Sequence, residues 1–132
     1  MRIADLRLAC LALPGAEERR PFASDPGLLA LTVGGKWFAL LDTEADEAGG
    51  GASVNLKTDP EEATALRRAH GGIVPGWHMN KRHWNTVFLD SDVPDELILA
   101  LVEISHGLVL DALPRRTRLL VMAEGERGGG GR

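Results

Sequence analysis

Leu28-Leu29-Ala30-Leu31-Thr32-Val33-Gly34-Gly35-Lys36-Trp37-Phe38-Ala39-Leu40-Leu41 is the stretch that decides the fold. Two short apolar runs flank a two-glycine link. Runs of this length bounded by turn residues read as strands, and glycine tolerates the positive φ that a type I′ turn requires at both central positions. A β-hairpin is therefore expected here.

Upstream of the hairpin, Ile3, Leu6, Cys10 and Leu13 fall near helical spacing, and Pro14-Gly15 stops that helix. Cys10 lies on the apolar face and reads as a small buried hydrophobe; as the chain's single cysteine it excludes an intramolecular disulfide. Downstream, Thr43 to Ala52 is acidic and then glycine-rich, which predicts a mobile loop before a short strand, Ser53 to Lys57. Asp59-Pro60-Glu61-Glu62 predicts a helix start with Asp59 as N-cap and Glu62 closing a capping box. That helix ends at Gly71-Gly72. Trp84 to Leu89 alternates like a strand, and Pro94-Asp95-Glu96 opens the longest helix, with Leu97, Leu101, Ile104 and Leu108 on its core face. Pro114 is expected to end it, with Arg115, Arg116 and Arg118 at the end where cations favour the helix dipole.

Strands bracketed by helices, without βαβ alternation, predict an α+β two-layer domain: an antiparallel sheet with the first and last helices packed on one face. One domain is expected over residues 1–123, followed by a disordered Gly-rich tail, 124–132, with no core pattern. Hydrophobic content of 44% and charged content of 26% belong to an ordinary globular domain. No apolar run approaches the roughly 20 residues that span a bilayer. Met1 to Leu13 lacks the unbroken apolar region and cleavage site of a signal peptide, so no membrane association and a cytoplasmic location are expected.

The chemistry concentrates in Val74 to Thr86. This stretch holds Trp77, Trp84, His78, His83, Asn80, Asn85 and the Lys81-Arg82 pair, in a chain with only three Trp and four His. Four of the 15 Lys and Arg, and none of the 19 Asp and Glu, lie between Ala63 and Leu89. A net charge of -4 thus hides one basic region on an acidic protein, the usual footprint of an anion-facing surface. Lys81 and Arg82 can neutralise phosphates, His78, Asn80 and His83 can hydrogen-bond, and Trp77 can stack on an unpaired base. Lys36 and Lys57 would extend the patch. Trp37 and Trp84 read as core residues, and His106 as a packed or capping histidine.

No pattern for catalysis accompanies these groups. His78 and His83 have no zinc-site spacing, no Gly-x-Ser-x-Gly occurs, and Gly49-Gly50-Gly51 lacks the Lys-Ser/Thr of a phosphate loop. The reading is a non-enzymatic domain with no catalytic residues, metal or cofactor.

Several motifs together resemble the MmcQ/YjbR family: Leu13-Pro14-Gly15-Ala16-Glu17-Glu18 with Pro21-Phe22, Gly34 to Ala39, Val54-Asn55-Leu56-Lys57 before Asp59 to Glu62, Gly76 to Asn85, and Ser105 to Val109 before Leu113-Pro114. The likeness spans about residues 1–118. It implies a CyaY-like, secretion-chaperone-like α+β fold and a DNA-binding role through a double-wing arrangement, with no catalytic residues to transfer. The chain departs from the family pattern in its Gly-rich tail and in the acidic insertion after Leu41, whose Asp42, Glu44, Asp46 and Glu47 would repel a phosphate backbone. Two partners are therefore weighed: DNA, held mainly by Trp77, His78, Asn80, Lys81, Arg82 and His83, or an acidic protein or small anion gripped by the same loop. The pI of 5.5 lies far below the value above about 9 of a committed nucleic-acid binder.

Overall fold

The computed structural model describes residues 1–44, 51–77 and 79–130, with side chains through Glu124. The elements run α1 (Ile3–Leu11), β1 (Glu17–Arg19), β2 (Leu28–Val33), β3 (Lys36–Asp42), β4 (Ser53–Lys57), α2 (Pro60–Ala69), β5 (Ile73–Pro75), β6 (Trp84–Phe88), α3 (Asp95–Asp111) and α4 (Arg115–Gly130). The six strands form one antiparallel sheet in the order β1-β2-β3-β4-β6-β5.

The hairpin forms as its sequence predicts, with φ of 57° at Gly34 and 79° at Gly35. Strand register then separates the two faces of the sheet. Leu29, Leu41, Val54, Val87 and Ile73 are paired in one row and belong to the core packed by α1 and α3. The neighbouring row, Ala30, Leu40, Asn55, Thr86 and Val74, points the other way. Phe38 has no partner in the β2–β3 register, where a bulge falls next to Leu31 and Thr32, and its fully buried ring joins the helical side. His106 of α3 meets that ring edge-on, with centroids 5.0 Å apart, and its Nε2 lies 2.8 Å from the Pro14 carbonyl. It is thus packed and bonded, as expected. Cys10 is buried beneath α1, and desolvation pushes its thiol up to about 12, as an inert core cysteine requires.

Four expectations need correction. Asp59 makes no side-chain bond to the start of α2, which begins with Pro60 and uses the Asp59 carbonyl to accept from Ala63 N–H at 2.8 Å. Pro114 ends one helix but also starts another. Arg115, Arg116 and Arg118 therefore belong to α4 and not to the last turn of α3. The core face of α3 is Ile98, Leu101, Val102, Ser105, His106 and Val109, with Leu97 and Leu108 only half-buried and Ile104 41% exposed, so of the four expected residues Leu101 alone is buried. Two strands, β1 and β5, are additions of three residues each, too short to show a period of two. Finally, α4 continues to Gly130, where no regular structure was expected from residue 124. Each of its terminal glycines costs about 1 kcal/mol against Ala in a helix interior, so this end frays first. The acidic-loop expectation falls mainly on residues 45–50, outside the described residues.

Asp92 closes the turn between α2 and β5. Its carboxylate accepts Gly72 N–H at 2.7 Å and Gly71 N–H at 3.0 Å, with His70 Nδ1 3.7 Å away. The Gly72 bond first, then Gly71 and the His70 charge, hold its carboxyl below the usual range. A depressed folded-state pKa stabilises above the unfolded value of about 3.9 and is lost as pH falls through the folded value. Asp92→Asn is therefore expected to flatten the fall in stability as pH drops below about 4, read by urea unfolding at each pH. The slope should not vanish, because Glu18 is held down by its hydrogen bond from Arg7 in the same window.

Candidate anion-binding site

Three strand ends meet at one end of the sheet. β3 begins with Lys36, β4 ends with Lys57 and β6 begins with Trp84, and antiparallel pairing sets Lys57 opposite Trp84. The end of α3 and the following corner come over this edge, since Leu113 and Thr117 lie where a side chain on Gly34 would have to go. The result is a cleft of about 310 Å³ lined by Lys36, Trp37, Lys57, Trp84, Val109, Ala112, Leu113 and Pro114. Its walls are indole and aliphatic, and among the described residues its charged lining residues are Lys36 and Lys57, with no acid.

Burial and contacts fix part of this wall. Trp37 is half-buried with Phe22 edge-on against it, at a centroid distance of 6.1 Å and an interplanar angle of 88°. Trp84 is 9% exposed, so it offers an edge to the cleft while its bulk stays inside. Lys36 is exposed and Lys57 half-buried. Ser105 of α3, fully buried, accepts Lys57 N–H at 2.9 Å and donates to the Phe38 carbonyl at 2.5 Å. The β3–β4 pairing stops at Ala39 with Leu56, and the next pair would be Phe38 with Lys57. The serine hydroxyl is interposed between these two backbone groups, which parts the strands where the lysines emerge.

The loop from Gly76 to His83 is built mostly on its own backbone. Gly76 N–H donates to the Trp84 carbonyl at 2.8 Å, and a Cβ on Gly76 would sit 2.7 Å from that same oxygen, so no side chain fits. Trp77 N–H donates to Thr86 Oγ1 at 3.0 Å, and the Trp77 carbonyl accepts Asn55 Nδ2 at 2.8 Å. Its ring packs edge-on against Phe88, with centroids 5.4 Å apart, on the sheet face away from α1 and α3. Asn80 Oδ1 accepts Arg82 N–H at 2.9 Å, a local turn bond, and the Asn80 carbonyl accepts from His83 and Trp84 N–H. Lys81 Nζ donates to the Gly76 carbonyl at 3.2 Å, while Arg67 reaches the Lys81 carbonyl at 3.3 Å. Asn85 Nδ2 donates to the Ala63 carbonyl at 3.2 Å and so ties α2 to the sheet.

The sequence-derived candidates thus divide. Lys36 and Lys57 meet at the cleft. Asn80, Lys81, Arg82 and His83 immediately precede Trp84 and so sit at the same end of the sheet, with Arg82 exposed and making no side-chain ion pair or hydrogen bond among the described residues. Trp77 is turned onto the opposite sheet face, and His78 lies outside the described residues. Trp37 and Trp84, expected as core, line the cleft as well. The signal for this was the register of the hairpin, which forces Lys36-Trp37 to its turn end. Ser105 carried no signal, because a serine inside an apolar helix announces nothing until its partners are known. Among the described residues no three His, Cys, Asp or Glu side chains gather that could hold a metal ion, and no helix is long and apolar enough to cross a membrane.

Comparison with known proteins agrees with this architecture. The family model described as YjbR matches residues 11–108. The uncharacterized protein YjbR of Escherichia coli K12 is 36% identical over 122 residues, covering 92% of this chain and 98% of that protein. The uncharacterized protein YyaQ of Bacillus subtilis is 32% identical over 102 residues, covering 71% of this chain and 86% of the other. Among solved structures, Deinococcus radiodurans protein DR2400, described with the domain DUF419, superposes with a TM-score of 0.79 at 36% identity, covering 91% of this chain and 87% of its own. A protein from Pseudomonas syringae superposes with a TM-score of 0.73 at 28% identity, over 83% of this chain and 99% of its own. With the family model spanning most of the fold and relatives matched nearly end to end, the chain belongs to the MmcQ/YjbR family.

Proposed function

We propose that this chain is a non-enzymatic binding domain whose ligand is a small organic anion with an aromatic or apolar body, held in the cleft between Lys36, Lys57, Trp37 and Trp84. The observation that carries this reading is the convergence of two lysines and two tryptophans around an apolar cleft with no acid among its described lining residues. Ligand sites are mostly apolar with a few placed polar groups, and about 310 Å³ suits a one- or two-ring molecule. The lysines would take the anionic group and the indoles and Leu113 the body.

Nucleic-acid binding through the loop has one observation in its favour, the exposed Arg82 beside the lysine-bearing end of the sheet. Against it, Trp77 is engaged with Phe88 and the Lys81 ammonium with the Gly76 carbonyl, so base stacking and a full set of phosphate contacts would require the loop to open. The small-anion reading requires no such change.

The test is a calorimetric and tryptophan-fluorescence titration with 2-naphthoate, alongside its neutral alcohol analogue, inorganic phosphate and a short DNA duplex. Saturable one-to-one binding of naphthoate is expected, weaker for the alcohol and for phosphate. Lys36→Ala and Lys57→Ala should each lower affinity by about tenfold, since a charge-assisted contact is worth about 1.5–3 kcal/mol. Absence of saturable naphthoate binding overturns the reading. Duplex binding that depends on Arg82, falls steeply with salt and ignores Lys36→Ala replaces it with the nucleic-acid one.

A further inference from the structure

Two surfaces remain that the cleft does not use, and they complement each other. The first is the outer side of α4. Its inner side is committed to the fold: Thr117 and Val121, one helical turn apart, lie against Gly34 and Gly15, where a Cβ would meet Val121 Cγ1 at 2.6 Å. That commitment leaves Leu119, Leu120 and Met122 outside, 50%, 56% and 47% exposed. Arg115, Arg116 and Arg118 stand among them and make no ion pair among the described residues. Three large apolar side chains spread over the outer side of one short helical segment make an apolar surface, which marks a contact more often than a single exposed residue does.

The second surface is a groove between α2 and α3 of about 380 Å³. α2 contributes Leu66 between the small Ala65 and Ala69, and α3 contributes Leu97, Leu101 and Ile104, the last 41% exposed. Both helices carry exposed acids, against one exposed base, Arg68 of α2. Glu62 lines the groove, and Glu96 and Glu103 lie exposed on α3, with no ion-pair partner for any of the three among the described residues. One surface is thus an apolar ridge with arginines, the other an apolar groove with glutamates.

We propose that a second copy of this chain fills the groove: the Leu119–Leu120–Met122 ridge of α4 in one copy docks between α2 and α3 of the other. The helix-in-groove mode lays one face of an amphipathic helix into a channel of matching chemistry; Leu119 and Met122, three residues apart, share such a face, with Leu120 flanking it. Charge selects the partner. Arginines facing glutamates favour the pairing of unlike surfaces, whereas ridge-to-ridge or groove-to-groove contacts would set like charges together. Because each copy presents both halves, the contact can be made twice about a two-fold axis. Two such contacts bring the buried area toward the about 1,200–2,000 Å² of a stable interface, which a single helix end would not reach.

The test uses the full chain in sedimentation velocity over a concentration series, with circular dichroism to verify that each variant is folded. The unmodified chain is expected to self-associate to a dimer. Reversing the ridge charges (Arg115→Glu, Arg116→Glu, Arg118→Glu) and, separately, the groove charges (Glu62→Lys, Glu96→Lys, Glu103→Lys) should each weaken association by about tenfold or more. Mixing the two folded variants should restore it, because every ridge then meets a groove of opposite sign. Leu120→Ser should weaken association with little change in melting temperature. A chain that remains monomeric throughout overturns the proposal. So does a dimer that neither reversal disturbs, and so does a ridge that instead binds anionic lipid vesicles without self-association.

Discussion

Ser105→Ala is expected to lower the unfolding free energy by about 2–4 kcal/mol, a large share of what a domain of this size holds. The hydroxyl is the single group joining Lys57 N–H, at 2.9 Å, to the Phe38 carbonyl, at 2.5 Å, and Ser105 has no exposed surface. Its removal strands two backbone groups away from water, each at about 1–3 kcal/mol, since the penalty for an unmade buried bond exceeds the net gain from making it. The substitution also tests what parts the strands. With the Phe38 bulge holding β3 in place, the two groups stay apart and the full loss appears in urea unfolding. If β3 and β4 instead zip by one further pair, the loss should stay below about 1 kcal/mol. Lys57 would then shift relative to Lys36, and naphthoate affinity should fall although no cleft residue was changed. A variant as stable as its parent with an unaltered cleft would show that the serine does neither.

The parts of this fold legible in the sequence are those whose signal is local. Gly34-Gly35 between two apolar runs can serve little else than a tight hairpin, and Leu6 with Cys10 can bury only on one side of a helix. Whatever depended on distant partners was not legible. Arg115, Arg116 and Arg118 suit the end of a preceding helix by charge, yet Pro114 separates them from α3 and they open α4, against the dipole preference. What compensates is the packing of Thr117 and Val121 on Gly34 and Gly15, residues about 80 to 105 positions earlier that no local pattern could pair with them. The same limit governed the site. The cluster of Trp, His and basic residues between Val74 and Thr86 drew attention by composition, but much of its polarity is spent on holding a turn. Lys36 and Lys57, inconspicuous in separate strands, meet because the sheet order places β3, β4 and β6 side by side.

Asn55→Ala is expected to cost about 2–4 kcal/mol and to release Trp77, while leaving the cleft able to bind. Asn55 and Thr86 are cross-strand neighbours on the sheet face away from α1 and α3, both buried, and they form a relay. Thr86 Oγ1 donates to Asn55 Oδ1 at 2.6 Å while accepting Trp77 N–H, and Asn55 Nδ2 donates to the Trp77 carbonyl. Two side chains thereby satisfy both backbone groups of one loop residue, which explains why a buried polar pair occupies the middle of β4 and β6. Alanine at 55 orphans the Trp77 carbonyl and the Thr86 proton together. Thr86→Val breaks the same relay from its other side. The double variant should therefore cost little more than either single one, with a coupling energy of about 1–3 kcal/mol. The indole N–H signal of Trp77, one of three in the chain, should move toward its solvent-exposed position in all three variants as the contact with Phe88 is lost. Additive losses with an unmoved Trp77 signal would mean that the loop is held by the Gly76–Trp84 bonds alone. Retention of naphthoate binding in Asn55→Ala is the outcome that separates the two parts of this basic end: a cleft that binds, beside a loop whose conspicuous residues serve to shape a turn.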